Sequence, residues 1–278
     1  MLRRSIYKTP AQLRAMIEPG LITAAALDAA RALIAPGVTT GELDAAASAV
    51  ITARGAESNF QMVRGYRHTI CASVNEQVVH GIPGDRVLAA GDIVSIDAGA
   101  QFRGWNGDSA FSVVIPDPSR PDVVADRQRL SDVTEGSLWA GIAAMATATH
   151  IGEIGAGIQA HIDAHAPAGG YGILRDYVGH GIGRKMHESP SVFNYRVSDP
   201  GPEIRPGLVL AIEPMVVIGD QETFIEDDDW TVSTVDGTAG SHWEHSVAVH
   251  DDGIWVLTAP DGGAAGLAPF GITPRPIG

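Results

Sequence analysis

The sequence is poor in cysteine, in aromatic side chains and in positive charge. Cys71 is the one cysteine among 278 residues, so no intramolecular disulfide can form and a reducing compartment is the natural setting. Aromatic residues make up 6% of the chain, while glycine alone numbers 33; helices must therefore pack closely on small side chains. The 19 basic residues face 33 acidic ones, a formal net charge of −14. That is the wrong sign for standing affinity for nucleic acid or an anionic membrane. No run reaches the roughly 18 uninterrupted apolar residues that a membrane span needs. Behind Arg3 and Arg4, the residues Lys8, Arg14 and Glu18 leave no room for the apolar segment of a signal peptide. These absences describe a soluble, cytoplasmic protein. With 45% hydrophobic residues, the length allows a full core.

Thr9-Pro10-Ala11-Gln12 has the form of a capping box with proline at the first helical position. The Ala-rich run behind it reads as helix until Pro36-Gly37. Glu18-Pro19-Gly20 interrupts it, which predicts a kink or two separate helices, because proline removes a hydrogen bond. Thr39-Thr40-Gly41-Glu42 repeats the capping logic and opens a helix to about Arg54. The period then changes: Ile70 to Val79, Asp92 to Ala100 and Phe111 to Ile115 read as strands. Residues 121–148 and 153–165 read as helices, followed by strand-like segments near 171–178, 207–213, 230–235 and 243–258. Helices early in each half followed by antiparallel strands point to an α+β fold. No linker divides the chain, so residues 1–258 are taken as one catalytic domain. The Gly- and Pro-rich residues 259–278 are expected to form a loosely ordered tail.

Asp97 ends the apolar run Ile93-Val94-Ser95-Ile96, and Asp108 opens the next strand eleven residues later. Two strands joined by the intervening Gly-containing loop bring both carboxylates close together. Side by side in a core they require a shared cation or proton; the plain alternative is a pair of surface turn aspartates. Glu213 follows the apolar run Leu208 to Ile212, and Glu244 lies within the strand-like Trp243 to Val249. One such glutamate is often a salt bridge, but four inward acids with so few basic residues argue for metal. His180 sits between glycines, in Gly179-His180-Gly181-Ile182-Gly183, which lets backbone approach closely and fixes the ring's direction. His187 follows seven residues later. Four carboxylates with one imidazole form a hard, oxygen-rich donor set, suited to Mn, Co, Fe or Zn. They exceed what one ion needs and match two.

The order of these motifs resembles the type I methionine aminopeptidases. Tyr177-Val178-Gly179-His180-Gly181-Ile182-Gly183-Arg184-Lys185-Met186-His187, continued through Val192-Phe193-Asn194-Tyr195, is similar to the subfamily signature. Ser73-Val74-Asn75-Glu76 with His80-Gly81-Ile82-Pro83 resembles its first histidine motif. Asp97-Ala98-Gly99-Ala100, Gly107-Asp108-Ser109, Ile212-Glu213-Pro214-Met215 and Trp243-Glu244-His245-Ser246 match the remaining motifs in order. The resemblance runs from about residue 10 to 258. It implies a pita-bread fold: two βαβ-like halves related by a pseudo-twofold axis, with a curved antiparallel sheet covered by helices. It also implies removal of the initiator methionine from nascent chains, with two divalent cations (Co, Mn, Fe or Zn) on Asp97, Asp108, His180, Glu213 and Glu244. Glu213, His80 and His187 are then the catalytic residues, the two histidines also contacting substrate. Tyr66, Cys71, Met186 and Trp230 are the candidates for the methionine pocket. The implied partners are nascent amino termini and a transient ribosome contact, with the chain acting as a monomer and no nucleic acid or membrane involved.

The chain departs from the family at Val63, Arg64 and Arg67, where a Tyr-His-Gly-aromatic-Pro segment is common, and at Met186 and Ser246, where phenylalanine and threonine are usual. An arginine at the pocket rim would favour acidic second residues or unusual peptides. Two neighbouring readings remain: a paralog with altered first-residue preference, and a prolidase-type enzyme that cleaves beside proline. A third, of another class, is a binding module on the same fold. His161 and His165 are four apart, but Ile162 stands where a zincin has glutamate, so a solvated helix face is the better reading. Glu226-Asp227-Asp228-Asp229 reads as a solvated turn before Trp230.

Overall fold

The structure is a computed structural model and describes residues 5–278. Helices α1 (Pro10–Arg31) and α2 (Thr40–Ala53) lead into strands β1 (Glu57–Ser58), β2 (Ile70–Val74), β3 (Gln77–Val79), β4 (Ile93–Phe102) and β5 (Trp105–Val114). Helices α3 (Pro121–Thr147) and α4 (Gly152–His165) open the second half. It continues with β6 (Gly172–Ile173), β7 (Gly179–Gly181), β8 (Glu188–Val192), β9 (Val209–Ile212), β10 (Met215–Val217), β11 (Thr223–Ile225) and β12 (Val232–Thr234). Strands β13 (Gly240–His242), β14 (Glu244–His250) and β15 (Gly253–Val256) and the short helix α5 (Ala264–Leu267) complete the chain. Among the described residues no helix is long and apolar enough to cross a membrane.

Nine strands form the main sheet, in the order β1-β4-β5-β14-β9-β7-β8, with β2 also on β4 and β15 also on β14. Its ladders are antiparallel. Strand β14 lies between β5 of the first half and β9 of the second and so joins them. Helices α1 and α2 cover the first half through Ile22, Leu27, Leu43 and Ile51, packed with Ile70, Val94, Ile96 and Phe111. Helices α3 and α4 cover the second through Leu138, Ile142, Ile154 and Ile158, packed with Leu208, Leu210 and Ile212. Each face reads as apolar because it is buried beneath helices, and the removal of that area from water is the main drive to assemble it.

Both capping boxes are present. Thr9 accepts from the Gln12 N–H while Gln12 accepts from the Thr9 N–H, and Thr39 and Glu42 do the same. The two separate helices that Pro19 could have produced are not found: α1 is one continuous helix of 22 residues with Pro19 inside it. Tertiary contact accounts for this. Gly20 lies so close to the sheet that an added Cβ would sit 2.4 Å from the Leu257 carbonyl oxygen, and a Cβ on Gly107 would meet the Gly20 backbone at 2.8 Å. The Thr23 hydroxyl donates to the Pro19 carbonyl at 2.9 Å. Residues of the tail after 258 make specific contacts with the body of the fold. Leu267 is fully buried, the Arg275 N–H donates to the Ile254 carbonyl at 3.0 Å, and Gly266 packs against the Trp139 indole. The tail's glycines permit close approach to aromatic faces.

Candidate metal centre

The ladder register places the acids and the histidine on one face of the sheet. In the β4–β5 hairpin, Asp97 faces Ala110 and Gly99 faces Asp108. Side chains two apart along a strand share a face, so Asp97 and Asp108 are diagonal neighbours on the same side. Glu244 faces Ala110 across the β14–β5 ladder and joins that side. His245 pairs with Ile212, so Glu213, one step beyond, meets Glu244. His180 faces Ala211, two residues before Glu213. Five residues from both halves thus converge without any long loop. Gly179 and Gly181 make the approach possible: a Cβ on either would lie 2.4 Å from the Ala211 carbonyl oxygen or 2.3 Å from that of Ser189.

Donor atoms of Asp108, His180 and Glu244 all lie within 4.8 Å of one another. His180 Nε2 is 3.4 Å from Glu213 Oε1. Asp97 Oδ1, Asp108 Oδ1 and Glu244 Oε1 are buried with no hydrogen-bond partner among the described residues. Burial pushes Asp97 up to about 8. It also raises Asp108, Glu213 and Glu244 well above the carboxylate range, and repulsion from neighbouring acids adds to the shift. Burial lowers His180 to about 4, helped by the neighbouring His187. Crowded carboxylates without basic partners and a neutral imidazole are what divalent cations require of a donor set, so these residues fit a metal site.

A cavity of about 300 Å³ opens beside them. Asp97, Asp108, His180, Glu213 and Glu244 line it together with His80 and His187. Tyr66, Cys71, Met186 and Trp230 line it too, beside Phe60 and Val63, and form its apolar end. Tyr66 is fixed there by its hydroxyl, which donates to the Ile70 carbonyl at 2.6 Å, and by its ring packed edge-on to Trp230. Burial raises the Tyr66 phenol and the Cys71 thiol, so both stay neutral. His80 holds a positive φ of 59°, a strained conformation for a histidine. Its ring packs edge-on to Tyr177, and burial lowers it to about 4. The His187 ring meets the His180 ring at 4.3 Å and 74°. Arg64 and Arg67 are exposed and do not line the cavity, whereas Val63 does.

His242 went unread in the sequence. It lines the same cavity, is 2% exposed, and places Nε2 3.8 Å from Glu213 Oε2. Its signal was its parity with Glu244, two residues on. His161 and His165 stack at 4.1 Å on α4, and His165 Nδ1 meets the His161 carbonyl oxygen at 2.8 Å. In the acidic turn Asp228 accepts from the Trp230 and Thr231 N–H groups, which sets Trp230 at the cavity.

A model of metallopeptidase family M24 matches residues 14–251. The chain is similar to methionine aminopeptidase 1 of Bacillus subtilis, at 41% identity over 91% of this chain and 98% of that protein. It is similar to methionine aminopeptidase 1 of Mycobacterium tuberculosis at 44% identity, over 90% of this chain and 94% of that protein. Among solved structures, a methionine aminopeptidase from Thermotoga maritima superposes with a TM-score of 0.83 at 34% identity, covering 91% of this chain and 98% of the other. A prolidase from Pyrococcus horikoshii, at 19% identity and a TM-score of 0.70 over 63% of its length, shares the fold alone. The architecture is the pita-bread fold that the motifs implied.

Proposed function

The chain belongs to metallopeptidase family M24, and within it to the methionine aminopeptidases; from that premise we propose that it removes the initiator methionine from nascent proteins and peptides, using two divalent cations held by Asp97, Asp108, His180, Glu213 and Glu244. The observation that carries this reading is the placing of four carboxylates, two buried and two half-buried, and one imidazole on one sheet face, beside a cavity with an apolar end. Cations bound there supply positive charge that offsets the carboxylates and polarises both a water and the scissile carbonyl.

The protein's own groups do the rest. Glu213, whose Oε1 stands 3.4 Å from His180 at the donor cluster, accepts the proton of the attacking water and delivers it to the leaving amine. His187, at the cavity mouth, donates to the carbonyl oxygen as charge develops on it. His80, held in its strained conformation beside Tyr177, orients the substrate's first peptide bond. Tyr66, Cys71, Met186 and Trp230 receive the first side chain. An unbranched thioether suits this lining, because methionine is flexible and polarizable and packs well against rings and sulfur. Cleavage after the one residue whose side chain the apolar end receives is exopeptidic. The partners are free amino termini emerging from ribosomes, met in the cytoplasm by a monomer whose ribosome contact is transient.

The test is a peptide panel with metal-stripped protein and defined additions of Mn, Co, Fe or Zn. Release of free methionine from Met-Ala-Ser, abolished by chelation and restored by one of these ions, is the expected result. Cleavage of Ala-Pro peptides in preference would move the assignment to the prolidase type. Binding without turnover under every ion would leave a binding module.

A further inference from the structure

Glu213 is bracketed by two imidazoles. His180 Nε2 stands 3.4 Å from Oε1, and His242 Nε2 stands 3.8 Å from Oε2. His180 belongs to the donor cluster, so Oε1 is the oxygen beside that cluster and Oε2 is the one beside His242. His242 Nε2 is buried with no hydrogen-bond partner among the described residues. A buried ring nitrogen without a partner is costly, and so is a buried carboxylate oxygen that lacks a donor.

The backbone of His242 is held with unusual care. Ser112 Oγ donates to the His242 carbonyl at 3.0 Å and accepts from its N–H at 3.0 Å. The Ser95 and Ser112 hydroxyls meet at 2.7 Å across the β4–β5 ladder, and the Ser241 hydroxyl donates to Ser112 at 3.0 Å. All three serines are at most 3% exposed. A hydroxyl cage in the middle of an apolar sheet contributes little to packing. It does fix the position from which the imidazole projects into the cavity.

We infer that His242 is a positioning residue of the metal centre: its Nε2–H, 3.8 Å from Glu213 Oε2 and without another partner, closes onto that oxygen when the carboxylate takes up a cation, and so orients the other oxygen. This rests on the proposed role of Glu213 as ligand and base. Groups that orient a ligating carboxylate are worth about 10–100-fold in metal affinity or activity.

The experiment compares the unsubstituted chain with His242→Gln, His242→Leu and Ser112→Ala. Mn(II) and Co(II) affinities are measured by calorimetry, the Co(II) absorption spectrum is recorded, and kcat and KM are taken separately. His242→Leu, which removes the donor, is expected to lose about 10–100-fold in affinity and to lower kcat more than it changes KM. His242→Gln keeps an N–H donor at similar reach and is expected to restore affinity, with an unchanged cobalt spectrum. Ser112→Ala leaves the imidazole in place, loosens its support, and is expected to weaken binding in the same direction; it keeps the question open to test if the leucine variant does not fold. Wild-type affinity in both His242→Leu and Ser112→Ala overturns the inference. So does equal loss in the glutamine and leucine variants with an altered cobalt spectrum, which would make His242 a direct ligand. Absence of cation binding by the unsubstituted chain would instead remove the premise itself.

Discussion

Asp108 and Ser246 exchange two hydrogen bonds across strands β5 and β14: the Asp108 N–H donates to Ser246 Oγ at 3.1 Å, and the Ser246 hydroxyl donates to the Asp108 carbonyl at 2.8 Å. Neither bond touches the carboxylate, yet together they fix the backbone from which it projects, next to Glu244 on the same strand as Ser246. Ser246 is fully buried. Ser246→Ala leaves one buried donor and one acceptor unpaired, and is expected to cost about 2 kcal/mol of stability and to weaken cation binding. Denaturant unfolding with and without Mn checks both. Ser246→Thr, which retains the hydroxyl, should lie nearer the unsubstituted protein. Equal behaviour of the two variants would remove this role.

Lys8 and Glu188 form an ion pair at 3.0 Å, with side chains 6% and 25% exposed. Glu188 follows His187 directly and also accepts from the Lys185 N–H at 3.0 Å. The segment ahead of α1 therefore steadies the turn that carries His187. Lys8→Met should lower stability by about 2 kcal/mol and reduce kcat. The double variant with Glu188→Gln should cost less than the sum of the single changes, because residues in direct contact couple. Strict additivity in a double-mutant cycle would show that the pair is idle.

Gly20→Ala opposes two known effects. Alanine gains about 1 kcal/mol of helix propensity over glycine. The added methyl, however, would stand 2.4 Å from a backbone oxygen of Leu257, and overpacking typically costs about 1–3 kcal/mol. Backbone on both sides cannot give way as a side chain tip can, so a net loss of stability is expected, seen as a lower thermal midpoint. A rise in the midpoint would mean that α1 can move off the sheet.

The cation-free protein should lose stability as pH rises from about 6.5 to 8. Asp97, raised to about 8, and the raised Asp108, Glu213 and Glu244 keep protons in the folded state that they release on unfolding. Where the folded state binds more protons, stability falls with rising pH. His80 and His180, lowered to about 4, act oppositely: each is neutral when folded, and its contribution is lost as pH falls below the ordinary value of 6.5. Above that value the histidine effect is complete, and the carboxyl slope stands alone. Scanning calorimetry in chelator should show the decline, and saturating Mn should abolish it while releasing protons. A flat profile in chelator would mean that the acids are already ionised.

Features set by neighbouring residues were legible in the sequence. Thr9 with Gln12 and Thr39 with Glu42 need only three residues to declare a helix start, and both are present. Asp97, Asp108, Glu213 and Glu244 stand out in the sequence because acids at or within apolar runs demand partners, and His180 because glycines flank it; the strand register brings the five to one sheet face. What was not legible depended on distant chain. Proline at position 19 is disruptive in an isolated helix, but here Gly107 and Leu257 hold the segment against the sheet. The tail after Pro260 looks unstructured until Trp139, far upstream, supplies a surface for Gly266. His242 was missed because the strand was read as starting at 243, which left β13 outside it, so the residue two before Glu244 was not followed into the cavity.

The position of β14 governs when the enzyme can begin to exist. It is among the last strands to leave the ribosome, yet it occupies the middle of the sheet, with β5 and β9 on its flanks. Without it, β5 and β9 would each present an unpaired edge, and Asp97 and Asp108 would lack Glu244 between them and the second half. Maturation is thus gated by a late, long-range pairing, the slow kind of step in folding. A chain stalled before Glu244 would hold most of its architecture and no working centre.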